Sequence, residues 1–368
     1  MTHADDLLPE GLEDRLPPEA EAITRAMRAC LDVLASHGYD RVRPPLVEFE
    51  KSLAGRMDGV QPRRMFRFVD PSSLRTLALR SDITPQIGRI AATSLVGAPR
   101  PLRLAYCGET TVIKADQLEP ARERLQLGAE LVGSDTVAAA SEVVGLAVEA
   151  LAAAGLSGIS VDFTLPDLVD TLAEKAMPLA EGARDAVRRE LDTKDAGGLV
   201  AAGGEAYLPL LYATGPFDDA VAKLREIDAG GALASRIAGL KQIAARIGNS
   251  ARVTLDPTER HGFEYQSWFG FTLYAEGVRG ALGRGGTYLI KGSDEAATGF
   301  SLYLDQLVGA VPAPAQRDAI YLPLGHDAQA AARLRAEGWR TIAQISDNED
   351  PRALGCTHRL AGNEAVVL

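Results

Sequence analysis

The stretch RLAYCGETTVIKADQLEPARERLQLGAELVG, residues 103–133, carries the reading on which the fold depends. Its two ends, 103–108 and 123–131, read as strands, and the polar segment between them reads as a connecting loop. A long alanine-rich helix with an apolar stripe follows over 136–156. Antiparallel strands with helices laid against them give an α+β sheet. In the second strand Gln126 and Glu130 stand four residues apart, and because side chains of an extended chain alternate, both point to one face. Such a pair is either solvated on a half-exposed sheet or directed at a ligand, and the local sequence leaves both readings open.

Working outward towards the N-terminus, apolar residues at Ala22, Ile23, Met27, Cys30, Leu31, Val33 and Leu34 predict a helix over 17–37, stopped by Gly38. A strand is expected over 41–47, and Pro44 and Pro45 confine it to an edge or an interface because proline cannot donate to a ladder. Segments 65–69 and 76–80 read as a hairpin around a polar turn, and 84–95 as a helix. Asp82 and Thr84 fall at the strand-to-helix junction. They fit a helix cap, and they also fit a carboxylate and a hydroxyl converging on an ammonium group.

Towards the C-terminus, 165–250 is a helical, alanine-rich insertion punctuated by Gly197-Gly198, Gly203-Gly204 and Gly230-Gly231. Strands return at 253–255, 269–275 and 287–290, and 299–308 closes the large domain as strand or helix. The run Gly283-Arg284-Gly285-Gly286 reads as a turn in preference to a phosphate cradle. Pro312-Ala313-Pro314 is a linker, so the domains are 1–312 and 315–368. The last stretch has a β-α-β pattern, with strands at 319–324, 341–345 and 365–368 and a helix over 328–337.

With 46% hydrophobic and 24% charged residues in a chain of 368, the composition is that of a folded globular protein. A net charge of -11 opposes a surface built to neutralise phosphates, so no tRNA partner is expected. Cys30, Cys107 and Cys356 show no metal-ligand spacing, which points to no metal and to a reducing cytoplasm. No apolar run is long enough to span a membrane. No Walker, nucleophile-elbow, HExxH or complete GxGxxG motif occurs, and no cofactor is implied.

Leu79-Arg80-Ser81-Asp82-Ile83-Thr84 is similar, without gaps, to the segment L-R-P-E-G-T with which histidyl-tRNA synthetases, members of class II, hold the substrate's α-amino group. Residues 38–48 resemble the first class II motif, whose homodimer-interface proline falls on Pro45. Residues 103–133 resemble the second motif at Arg103, Leu104, Tyr106, Gly108, Gln117, Arg122, Gln126, Gly128, Glu130 and Gly133. His261-Gly262-Phe263-Glu264-Tyr265-Gln266 resembles the histidine-specific R-G-L-D-Y-Y. Gly285-Gly286-Thr287-Tyr288 resembles G-G-R-Y, and 299–306 resembles the third motif.

The departures are as informative as the matches. The family's arginine on the ATP α-phosphate falls on Val112, its glutamate on Lys114, the arginine of the histidine-specific segment on His261, and the third-motif arginine on Gln306. Adenylate formation needs preorganised cations, and removing one such donor commonly costs about 2.7–4 kcal/mol. The resemblance therefore implies a fold without its chemistry, as in the regulatory subunits of ATP phosphoribosyltransferase. It implies a class II synthetase-like sheet with a small α/β remnant of the anticodon-binding domain, and histidine held by Asp82, Thr84, Gln126, Glu130, Tyr265 and Tyr288, with no catalytic residue. It further implies a homodimer through 17–48, a hetero-octamer with the short-form catalytic subunit, and histidine feedback inhibition. The alternatives are a divergent histidyl-tRNA synthetase and a stand-alone amino-acid-binding relative.

Overall fold

Helix α1 (Glu19–Ser36) forms where apolar residues recur at helical spacing, and Ala22, Ile23, Ala26, Cys30 and Leu34 are buried along one side of it. Gly38, at φ +78°, releases the chain. The computed structural model describes residues 7–55, 62–114, 121–228, 230–260, 266–312 and 318–368.

In place of the single strand expected over 41–47 the chain makes two, β1 (Asp40–Arg41) and β2 (Val47–Phe49). Pro44 and Pro45 are the cause. They offer no N–H to a ladder, and side chains bind their carbonyls instead: Arg80 Nη1 donates to Pro44 O at 3.0 Å and Gln86 Nε2 to Pro45 O at 2.7 Å. Both strands lie at sheet edges, as the prolines require.

After α2 (Glu50–Ala54), β3 (Arg67–Val69) and β4 (Thr76–Leu79) form the expected hairpin. Its turn is held by Asp70, which accepts from the backbone N–H groups of Ser72 and Ser73. Helix α3 (Thr84–Ala92) starts five residues after β4 ends. The hairpin read from residues 103–133 is present as β5 (Leu102–Thr111) and β6 (Glu123–Val132), in unbroken antiparallel register. Helix α4 (Val137–Ala153) is capped by Thr136 Oγ1, which accepts from Ala139 N. It buries Val143, Val144, Leu146 and Leu151, each contributing about 1.5–3 kcal/mol.

Strand β7 (Ser160–Thr164) has no counterpart in the sequence reading, which leaves 157–164 unassigned. Helices α5 (Leu168–Lys175), α6 (Ala183–Asp192), α7 (Ala196–Ala201), α8 (Phe217–Ile227) and α9 (Ala234–Ile247) follow, with short β8 (Gly215–Pro216) among them. The chain returns through β9 (Arg252–Leu255), β10 (Gln266–Tyr274), β11 (Gly283–Ile290) and β12 (Glu295–Tyr303), then a 3-10 turn at Leu304–Leu307.

Among the described residues these strands build a nine-stranded sheet ordered β1-β5-β6-β12-β11-β10-β7-β9-β8, and β2-β4-β3 form a separate small sheet. The large sheet is mixed: β1 pairs with β5 and β7 with β9 in parallel, and the other pairs are antiparallel. The fold is α+β, with the main core on one face of the sheet, where α1, α4 and α9 cover Leu127, Phe163, Phe269 and Phe271.

The run 283–286, expected as a turn, is the first half of β11. Its glycines serve close strand packing, since a Cβ on Gly285 would stand 2.5 Å from the Phe271 ring and 2.4 Å from Gly299 O. Contacts divide the chain into two units, 1–312 and 313–368. In the second, β13 (Ala319–Leu322), α10 (Ala328–Ala336), β14 (Arg340–Ala343), β15 (His358–Ala361) and β16 (Glu364–Val367) form a sheet ordered β14-β13-β15-β16. Strand β15 is an addition to the pattern read from sequence.

Candidate ligand-binding site

Gln126 and Glu130 lie on the β6 face turned away from the main core, and both are buried, at 2% and 1% exposure. The solvated-face reading of this pair is therefore excluded. Gly128 stands between them, and Tyr106, opposite it on β5, fills the space left by the missing side chain. The Tyr106 hydroxyl thereby reaches Glu130 Oε1 at 3.2 Å, Ser301 Oγ at 2.9 Å and Thr84 Oγ1 at 3.3 Å.

Gln126 connects the strand to the start of α3. Its Nε2 donates to Asp82 Oδ1 at 2.8 Å and to Ser301 Oγ at 2.7 Å, and its Oε1 accepts from Ile83 N at 3.0 Å. Asp82 Oδ1 also accepts from Thr84 N at 3.0 Å. The local turn role and the convergence with other polar groups thus coexist in one carboxylate. Tyr288, on β11, donates from its hydroxyl to Glu130 Oε2 at 2.8 Å.

Thr84, Glu130, Tyr288 and Ser301 of this network, together with Gln266 and Arg284, line a small cavity of about 20 Å3, room for about one water molecule. It is narrow, because the Gln266 side chain lies along it and donates to Gly285 O at 2.8 Å. Burial raises the Glu130 carboxyl to about 8, against the hydrogen bond from Tyr288 that lowers it, and the neighbouring Asp82 raises it further. Burial likewise raises the Tyr106 hydroxyl, reinforced by Glu130 and Asp82. A cavity walled by one carboxyl group, hydroxyls and an amide, with the Asp82 carboxylate joined to it through Gln126, has groups of the kind that suit an ammonium group and a polar ring.

Of the residues assigned from sequence, Asp82, Thr84, Gln126, Glu130 and Tyr288 are brought together, and Tyr265 lies outside the described residues, as does His261. Gln266, which the resemblance sets at the imidazole end of the pocket, lines the cavity, and sequence reasoning missed Tyr106 in the network and Ser301 and Arg284 in the cavity wall. Only cross-strand register shows them. Val112 directs its backbone N–H to Arg122 O, and Gln306 lies in the 3-10 turn after β12, its Oε1 buried without a hydrogen-bond partner among the described residues. Among the described residues no cluster of His, Cys, Asp or Glu could hold a metal.

A family model described as histidyl-tRNA synthetase matches residues 11–307. The ATP phosphoribosyltransferase regulatory subunit of Rhodospirillum centenum is 41% identical over 366 residues, covering 97% of this chain and 95% of that protein. That of Paramagnetospirillum magneticum is 40% identical, covering 98% and 97%. The chain belongs to the family of ATP phosphoribosyltransferase regulatory subunits. A solved ATP phosphoribosyltransferase regulatory subunit/histidyl-tRNA synthetase from Bacillus halodurans C matches with a TM-score of 0.82 at 25% identity, covering 96% of this chain and 97% of that one. Histidyl-tRNA synthetase from Nostoc sp. PCC 7120 matches at 0.78 with 15% identity, over 96% of this chain and 90% of that one, a likeness of fold alone. In this member of the regulatory-subunit family the polar network sits on the sheet of a synthetase-like fold.

Proposed function

We propose that the chain is a non-catalytic receptor that activates the short-form catalytic subunit of ATP phosphoribosyltransferase and conveys histidine feedback inhibition at the first step of histidine biosynthesis. Asp82, Thr84, Gln126, Glu130 and Tyr288 are assigned to histidine. One observation carries the reading: these groups form a connected, largely buried network, whereas the positions that the resemblance gives to nucleotide-binding arginines hold Val112 and Gln306. For inhibition to be conveyed, histidine must bind the inhibited assembly more tightly than the active one.

The proposed assembly is a hetero-octamer in which copies of this chain pair through residues 17–48. The edge position of β1 and the 41% exposure of Leu46 support that pairing. Three free cysteines fit a reducing cytoplasm, and no helix among the described residues is long and apolar enough to cross a membrane. A net charge of -11 supports the exclusion of tRNA.

Reconstitution with the catalytic subunit tests the proposal. Phosphoribosyl transfer should require both chains and decline as histidine is added, and this chain alone should exchange no pyrophosphate with ATP when histidine is present. Histidine-dependent exchange at an enzymatic rate would return the chain to the synthetases.

A further inference from the structure

A site for an amino acid meets three ends of its ligand, and the network of Asp82, Thr84, Glu130 and Tyr288 supplies two of them. Asp82 and Thr84 stand at the start of α3, Glu130 and Tyr288 stand deeper on the sheet, and Ser301 Oγ lies beside Gln126 and Tyr106 between them. Directly across the β11–β12 ladder from Ser301 is Arg284. Residues paired in this way have Cβ atoms about 4.5–5.5 Å apart, and Arg284 lines the same cavity. Among the described residues lining it, Arg284 is the only cation.

An amino acid carries its ammonium and carboxylate on one carbon, so a carboxylate accompanying an ammonium at Asp82 comes to rest near Ser301. With the Asp82 carboxylate close by, a second carboxylate is repelled unless a cation faces it. A guanidinium matches a carboxylate in charge and in planar, two-bonded geometry. We propose that Arg284 receives the α-carboxylate of the bound amino acid and makes the cavity select a zwitterion over analogues lacking that group. This rests on the reading of the cavity as the histidine site.

The experiment titrates L-histidine and L-histidinol, which has a hydroxymethyl group in place of the carboxylate, into the full-length chain and its Arg284→Gln variant. Wild type should prefer histidine by about tenfold or more. Arg284→Gln should lose that preference through weaker histidine binding, with histidinol held at its wild-type affinity as proof of an intact fold. Preference retained in Arg284→Gln overturns the assignment and leaves the histidine site standing, whereas a wild type that binds no histidine overturns both. If Arg284→Gln binds neither ligand, Arg284→Lys decides: a preference partly kept supports the assignment, and a preference lost while histidinol still binds overturns it.

Discussion

Tyr288 and Glu130, 158 positions apart in the chain, meet in a buried hydrogen bond of 2.8 Å. The bond restrains the rise in the carboxyl's proton affinity but does not cancel it, and Glu130 titrates at about 8, against the ordinary 4.5. A carboxyl raised in the fold stabilises fully below its unfolded value, and that contribution is lost as pH rises through 4.5 towards 8. Glu130→Gln, neutral at every pH, should therefore gain stability relative to wild type across that window. The gain should approach about 1.4 kcal/mol per pH unit, read from denaturant midpoints at pH 5 and pH 8. Equal midpoint differences at the two pH values would show that Glu130 is not buried in its neutral form.

Asp82→Asn separates the two roles that the sequence leaves open for this residue. Asparagine keeps an oxygen for Thr84 N but removes the negative charge. Histidine affinity measured by calorimetry should fall about tenfold or more, while thermal stability stays near that of wild type. Unchanged affinity would reduce Asp82 to a helix-start residue.

What could be read in the sequence follows the range of the interactions. Helix α1 and the β5–β6 hairpin carry their own periodicity, and Gln126 and Glu130 share a face because strands alternate, so these needed no tertiary information. Strand β7 is five residues beside a long helical region, and its place between β10 and β9 is fixed by partners far along the chain. The glycines of β11 look like turn residues until the Phe271 ring is known to occupy the space beside them. Ser301 and Arg284 become cavity residues only through the register of β12 with β11 and β6.

Arg80 is a buried cation whose partners are mostly backbone oxygens. Its Nε donates to Glu109 O at 2.7 Å and its Nη1 to Pro44 O at 3.0 Å and Gln86 Oε1 at 3.3 Å. Burial lowers its proton affinity, against the opposing pull of Glu109. Arg80→Met leaves those acceptors without donors and should cost about 2–4 kcal/mol. Arg80→Lys should recover less than half, because one ammonium cannot span the same set of acceptors. Urea unfolding measures both, and a lysine variant as stable as wild type would show that charge alone matters here.

Gly299 lies opposite Glu130 on the β12–β6 ladder, and a Cβ placed on it would stand 1.6 Å from Glu130 Oε2 and 2.8 Å from Ala129 O. The carboxyl can swing away from such a methyl group, but the strand carbonyl cannot. Gly299→Ala should therefore expel Glu130 from its bonds to Tyr106 and Tyr288 and strain the β12–β6 pairing, at about 1–3 kcal/mol. Two measurements separate these effects. Histidine binding should be lost in Gly299→Ala, whereas Glu130→Ala combined with Gly299→Ala should recover stability relative to the single glycine variant, because the group that collides with the methyl has gone. A double variant no more stable than Gly299→Ala would place the whole strain in the backbone contact with Ala129.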